Sequence, residues 1–457
     1  MNSYDVIIIG SGAGGATAAR RLAEAGAKVL ILERGDYLPR EPQNWDAAEV
    51  FGKGRYKTTE TWLDSRSKPF TPGEYYNVGG KTKVFGGALW RMLPQDFTQT
   101  DSPAWPLSYE DMEPYYAQAE QWYKVKKLPH ELVISQLAFE MKMHGLNPEY
   151  APVAVDYGEG ACIRCSTCDG FPCKLLAKGD AEACGIAPSL ATGNVTLKTG
   201  VKASRIVRKL SGKVHGTWAG DEFFSAPAVI LAAGAVNSAA LWLSSGLPDS
   251  SGQAGRNYMC HQSQAVLAIG EKYISRGFHK TLRVMDFYDS YGSIQMAGQP
   301  LPAMLRGESR LAALMPGVAL REIAERSLTF WLMTEDLPCE DNRVTVEGGK
   351  IRLSYATSLQ GKAYQLYHEL AKRLPHMGYP VHLRKSMPLS AVAHQCGTLR
   401  MSATADSGVV SPWGEAWEVP GLYVADSSVF PSSSAVNPAL TVMANAIRTA
   451  DNIMEGM

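Results

Sequence analysis

The sequence predicts an α/β protein. One domain has a parallel sheet with helices, built from both ends of the chain. The other has a mostly antiparallel sheet. Three observations carry this reading. A complete βαβ unit opens the chain, alternating half-buried strands fill residues 262–389, and a buried strand with a long helix returns at 422–454. The expected domains are 1–261 with 390–457, carrying a cysteine-rich lid or insert at about 96–190, and 262–389. A chain of 457 residues is long enough for two or three such units.

The elements follow in order. Asp5–Ile9 is β-branched and apolar after the Asp, the pattern of a strand buried on both faces. Gly10-Ser11-Gly12-Ala13-Gly14-Gly15 follows, then a small-residue helix over Ala16–Ala25, closed by Gly26. Lys28–Leu32 is the second strand and ends at Glu33. Asp111–Trp122 reads as a helix with an early Pro114, and residues 194–197, 203–209 and 216–218 as short strands. Ala228–Leu231 is a buried strand that turns through Ala232-Ala233-Gly234 into a helix over Ala235–Leu243. The strands Ser327–Thr334, Arg343–Val346 and Ile351–Tyr355 alternate, as a sheet with one face free for a ligand would. Ala363–Lys372 is helical. Leu422–Ala425 is a buried strand, and Pro438–Met454 a helix with one apolar face.

Composition excludes several classes of function. Lys+Arg and Asp+Glu both count 45, so no basic excess exists to hold a nucleic acid. No apolar run approaches the roughly 20 residues that span a bilayer. The first apolar run, Val6–Ile9, ends in glycines and is a strand, not a signal peptide, so a cytoplasmic location is expected.

The glycine loop has a physical reading. Gly10 permits a tight turn, Gly12 lets backbone approach a pyrophosphate, and Gly15 allows close helix–strand packing. The helix start, with Ala13, offers free N–H groups to phosphate. Glu33, followed by Arg34, stands 23 residues after Gly10, where a carboxylate accepts hydrogen bonds from a ribose. This is a Rossmann-type dinucleotide site. A second glycine-dense stretch, Val78–Gly87, needs backbone close to something flat or charged; a plain loop is the alternative.

Together these segments resemble the glucose–methanol–choline (GMC) family of FAD-dependent oxidoreductases. The resemblance rests on Asp5–Arg34, Val78–Arg91, Trp105–Glu120, Ala228–Gly246, Glu335–Val344 and His394–Asp451. His394-Gln395-Cys396-Gly397-Thr398, Leu422-Tyr423-Val424-Ala425-Asp426 and Asn437-Pro438-Ala439-Leu440-Thr441 look most like its pyranose-oxidase and sugar-dehydrogenase side. The resemblance implies a Rossmann-type FAD-binding domain plus a substrate domain, and oxidation of a CH–OH group. It adds Gly80, Thr82, Gly86, Gly87, Val201, Ala233, Gly234, Asp426, Asn437 and Pro438 to the expected FAD contacts. Val84 stands where some members carry a flavin-linked His, so the FAD is expected to be non-covalent. The chain is shorter than most members, so the substrate lid is expected to be reduced.

The resemblance places His394 against the flavin as the base that removes the alcohol proton; a turn-bonding histidine is the alternative. Asn437 before Pro438 is a good helix N-cap, its amide oxygen capping while its NH₂ donates to the substrate oxygen. Cys162, Cys165, Cys168 and Cys173 form C-x₂-C-x₂-C-x₄-C, one residue too long for the ferredoxin spacing and with Pro172 on the wrong side. No metal is expected there; zinc and iron–sulfur are the alternatives. The expected partners are a small alcohol, preferably a sugar or sugar-containing natural product, and an electron acceptor such as oxygen, a quinone or a protein. A choline-like, sterol or aryl alcohol is the alternative substrate, and an electron-transfer flavoprotein using the cysteine cluster the alternative class.

Overall fold

The computed structural model describes residues 4–98, 103–165, 168–391 and 393–457. β1 (Val6–Ile9), α1 (Ala13–Glu24) and β2 (Val29–Leu32) form the opening unit. β3 (Val195–Lys198), β4 (Ala228–Leu231) and α2 (Ala235–Ser244) follow. β5 (Leu422–Val424) and α3 (Ala439–Glu455) come from the end of the chain. The sheet runs β5-β4-β1-β2-β3, every pair parallel. All residues of β1, β2 and β4 are buried, as their unbroken apolar runs require. Helix α1 starts three residues before the sequence pattern suggested, because Ala13-Gly14-Gly15 already has helical geometry.

Side chains tie the ends of the chain together. Arg21 pairs with Asp451 at 2.6 Å between α1 and α3. The helix Tyr109–Trp122 leans on the same pair: Tyr116 Oη lies 2.8 Å from Thr441 Oγ1, and Tyr123 Oη 2.6 Å from Thr17 Oγ1.

A second sheet has six strands, each neighbouring pair antiparallel. Its order is Val381–Ser386, Gln264–Ile269, Ser327–Met333, Ser293–Met296, Leu282–Val284 and Pro148–Tyr150. The period of two sorts its faces. Val266, Ala268, Ile294, Leu328 and Phe330 pack under helices Leu132–Met143 and Gln360–Ala371, against Ile134, Leu137, Leu366 and Leu370. Ala265, Leu267, Gln295, Thr329 and Trp331 face a cleft.

Two strands of the 262–389 block lie elsewhere. Arg343–Glu347 and Lys350–Ser354 form a hairpin that pairs with Trp62–Asp64, not with the six-stranded sheet. Gly348 and Gly349, at φ +55° and +76°, supply the tight turn, which is local. The outer partner is set by contacts about 290 residues away, which no local pattern encodes. Conversely, Pro148–Tyr150, from the cysteine-rich insert, adds the last strand of the six-stranded sheet.

Candidate active site

A cleft of about 1630 Å³ lies between the carboxyl ends of the parallel strands and the free face of the antiparallel sheet. Ligands bind at that end of open α/β sheets. The volume exceeds the usual small-ligand range of about 300–1,000 Å³, leaving room for a dinucleotide and a second molecule.

The glycines of the first loop do different work. A Cβ on Gly10 would lie 2.5 Å from the Ala232 carbonyl oxygen, and φ there is +101°. A Cβ on Gly15 would lie 2.0 Å from the Gly10 oxygen, so Gly15 packs helix on strand and does not line the cleft. A Cβ on Gly12 would meet nothing within 4 Å, and this residue faces the open cleft. Gly14 was not singled out by the motif. Its Cβ would meet the Ala425 oxygen at 1.6 Å, so α1 can lie on the β5 end only because the residue is glycine.

Glu33 is buried and held from one side. Its Oε2 accepts from Ser11 N at 3.0 Å and Ser11 Oγ at 2.7 Å, and its Oε1 accepts from Gly35 N at 2.9 Å. Arg34 stacks 3.5 Å over the Tyr76 ring beside it. Gly80 fits against Gly12, and Thr82 Oγ1 donates to the Gly79 oxygen at 2.6 Å while accepting from Ala181 N. Asp426 joins two elements: Oδ2 accepts from Gly234 N at 2.9 Å and Ser238 Oγ at 2.5 Å, and Oδ1 from Ser428 N at 2.8 Å. Burial pushes this carboxyl up from the usual range, and those bonds pull it back.

The residues present fit FAD. Helices α1, α2 and α3 begin at Gly12, Gly234 and Pro438 with no side-chain cap, and all three positions line the cleft. Uncapped N-termini offer N–H groups and a positive dipole end to an anion. Asn437 Oδ1 is buried without a protein partner.

His394 stands on the cleft wall in a left-handed conformation, φ +62°. Asn257 at +58° and Ser434 at +54° flank the same region. Such angles are costly for residues other than glycine and cluster at functional sites. Met259 and Cys396 exchange backbone hydrogen bonds at 3.0 and 2.9 Å as an antiparallel bridge, which sets residue 261 opposite residue 394. His261 Nδ1 lies 2.9 Å from His394 Nδ1, and His261 Nε2 lies 3.1 Å from the Ser433 oxygen. Burial pushes His261 down to about 4. Burial, then His261 and the Lys81 ammonium, hold His394 well below the usual imidazole value. Lys81 is fixed by Glu74 at 2.7 Å and Gln395 Oε1 at 3.2 Å. The imidazole of His394 is therefore neutral at pH 7, the state a proton acceptor needs.

The structure brings most of the expected site residues to one cleft: Gly10, Gly12, Ala13, Glu33, Arg34, Gly80, Thr82, Gly86, Val201, Ala233, Gly234, His394, Asp426, Asn437 and Pro438. Gly87 is not among them. It lies behind the wall, its oxygen accepting from Ala154 N at 2.7 Å, because the chain has already turned inward there. Asn437 lines the cleft but does not cap α3. The Pro438 oxygen accepts the first helical bond, from Val442 N at 3.0 Å, and no side chain caps the helix. The motif reading missed Ser11, Gly14, Glu74, Lys81, His261 and Gln395. Ser11 sits inside the fingerprint, but its bonds to Glu33 need the fold to be seen; nothing local marked His261. Among the described residues no three His, Cys, Asp or Glu side chains converge as a metal site would need.

A sequence model of the FAD-dependent oxidoreductases matches residues 5–273, more than half of the chain. One of the GMC oxidoreductases matches residues 375–446, which hold both His394 and Asn437. The chain is a FAD-dependent oxidoreductase of the GMC type. This GMC oxidoreductase is similar to a paromamine 6'-oxidase of Streptomyces fradiae, with 27% identity over 98% of this chain and 90% of that protein. It is also similar to the long-chain-alcohol oxidase FAO4B of Arabidopsis thaliana, with 24% identity over 99% of this chain and 67% of that protein. Its fold matches the crystal structure of a pyridoxine 4-oxidase from Mesorbium loti, with a TM-score of 0.73, 18% identity and 99% of each chain covered. The enzyme oxidises an alcohol with FAD as its cofactor.

Proposed function

We propose that His394 is the general base of this alcohol oxidation and that the preferred substrate is a sugar or a sugar-containing natural product. The observation that carries the first part is a neutral imidazole on the cleft wall, fixed by His261. FAD, when bound, supplies the hydride acceptor. The chain does the rest. His394 takes the hydroxyl proton, and Asn437 hydrogen-bonds the alcohol oxygen through its amide NH₂. The amide oxygen, free of any protein donor, remains to accept from a ligand. Proton removal of this kind contributes about 10²–10⁴-fold.

The sugar reading draws on the similarity to the paromamine 6'-oxidase and on the C-terminal motifs. A second reading, an alcohol with an apolar body, is favoured by the apolar stretch of wall made by Leu267, Met304, Met315, Leu320, Ile323 and Trp331. The FAD is held non-covalently, since Val84 on the cleft wall offers no nucleophile. The FAD domain takes residues 1–261 and 390–457 and the substrate domain 262–389, with two exchanges: the hairpin at 343–354 joins Trp62–Asp64, and Pro148–Tyr150 joins the six-stranded sheet. Cys162, Cys168, Cys173, Cys184, Cys260, Cys339 and Cys396 carry free thiols, which suits a reducing compartment such as the cytoplasm. No helix among the described residues is long and apolar enough to cross a membrane. Oxygen, a quinone or a protein serves as the electron acceptor.

One anaerobic experiment tests the set. Wild-type and His394→Ala enzymes are mixed with a panel of sugars and aliphatic alcohols, and bleaching of the flavin absorbance is followed. His394→Ala keeps its FAD, releases it on acid denaturation, and is reduced about 10²–10⁴-fold more slowly. Reduction of the variant at the wild-type rate overturns the base assignment. Aliphatic alcohols outperforming every sugar overturns the preferred substrate.

A further inference from the structure

The geometry points to His261 as a positioning residue that selects the tautomer of His394: it accepts a hydrogen bond from His394 Nδ1–H and so leaves Nε2 as the bare, basic nitrogen. This rests on the reading of His394 as the base and deepens it.

The proton positions follow from the partners. The Ser433 carbonyl oxygen can only accept, so the His261 Nε2 that lies 3.1 Å from it carries a hydrogen. A neutral imidazole has one N–H, so His261 Nδ1 is an acceptor. The two Nδ1 atoms are 2.9 Å apart, a distance that needs one hydrogen between them. That hydrogen therefore belongs to His394 Nδ1. The opposite arrangement, with the hydrogen on His261 Nδ1, would set a bare nitrogen against the Ser433 oxygen in a buried site and leave that contact without a hydrogen. A doubly protonated His261 would satisfy both contacts, but its burial opposes the charge.

The arrangement is rigid. His261 is 3% exposed, and the rings meet edge to face, with centroids 4.8 Å apart and planes at 71°. The Met259–Cys396 bridge fixes the two backbones at the same register. The consequence for the chemistry is direct. When the alcohol O–H bond breaks, the new N–H bond forms at His394 Nε2, and the Nδ1–H bond to His261 persists in the resulting imidazolium. In the other tautomer, Nε2 would carry a hydrogen and could not accept the proton. A histidine that orients a second histidine thus takes the place that a carboxylate or a backbone carbonyl takes behind many basic imidazoles.

Nitrogen NMR of the holoenzyme labelled with ¹⁵N-histidine tests this, with His394 assigned by the signals lost in His394→Ala. The expected wild-type spectrum shows His394 Nδ1 protonated and Nε2 bare. A wild-type spectrum with Nε2 protonated, or with both tautomers equally populated, overturns the proposal whether or not any variant folds. Two variants then isolate the acceptor. His261→Phe removes it, and His261→Asp restores an acceptor-only atom near the Nδ1 place. Both lose the bond to Ser433, so a merely structural role would affect them equally. The expected result is mixed tautomers and flavin reduction slower by about 10–100-fold in His261→Phe, with the Nδ1–H tautomer recovered in His261→Asp. Wild-type tautomer and rate in a folded His261→Phe would overturn the proposal. If instead the spectra are as expected but His394→Ala is reduced at the wild-type rate, the base assignment fails and the hydrogen bond stands.

Discussion

Between Gly10 and Gly15 the chain makes its turn, opens a helix and faces the cleft within six residues. The seam around His394 is assembled from distant pieces: His261 lies 133 residues from His394, and Ser433 lies 172 from His261. The first region holds its shape by having no side chains where backbone meets backbone. The second holds its shape with polar side chains and with three residues in left-handed conformations. A steric site tolerates no added atom at its backbone contacts, Gly10, Gly14 and Gly15. A polar site tolerates atoms but not lost partners. The two regions should therefore fail in different ways.

The largest effect is expected where the steric region is overfilled. Gly14→Val drives side-chain atoms into the Ala425 carbonyl and should cost more than about 3 kcal/mol, seen as insoluble or flavin-free protein. Gly12→Ala, with nothing within 4 Å, should melt like wild type yet hold FAD more weakly. If both variants fold and bind FAD normally, the steric account of the loop is wrong. Next comes Glu33→Ala, which removes a buried acceptor of three protein hydrogen bonds. FAD binding, measured by titration of the apoprotein, should weaken by about 1–3 kcal/mol.

The polar region should show itself in pH dependence. Burial lowers the basicity of His394, so the imidazole stays neutral as pH falls through 6.5. The rate of flavin reduction should be flat there and fall only at lower pH, where protonation removes the lone pair. Lys81→Met takes away one of the charges that lower it and leaves Glu74 unpaired nearby, so the acid limb should move up. A limb centred at or above 6.5 in the wild type, or one that Lys81→Met does not move, contradicts this. The smallest effect is on stability at Asn437. Because its oxygen caps nothing, Asn437→Ala should melt within the about 0.5 kcal/mol that marks the low end of a lost cap, while reduction slows.

The legibility of the two regions differed for the same reason. Gly10, Gly12, Gly15 and Glu33 act through local geometry, so spacing alone announces them. Gly14 escaped because what it touches, Ala425, is more than 400 residues away. His394 and Asn437 were found by resemblance to a family, not by physics. The cap reading of Asn437 was local and plausible, and the cleft overrode it. His261 had no local sign at all; it becomes visible only once the bridge between residues 259 and 396 is known. The hairpin at 343–354 shows the same split, its turn local and its partner not.

The left-handed backbone of His394 has an evolutionary consequence. At φ +62° an L-residue is strained by roughly 1–2 kcal/mol, and glycine is not. The position is thus under two opposed selections. While the alcohol matters to the host, the imidazole is kept against that backbone preference. In a lineage that no longer needs the reaction, the backbone no longer opposes replacement by glycine, and the base becomes an easy part of the enzyme to lose. A natural or laboratory descendant selected only for heat resistance is then one in which this codon should be read first.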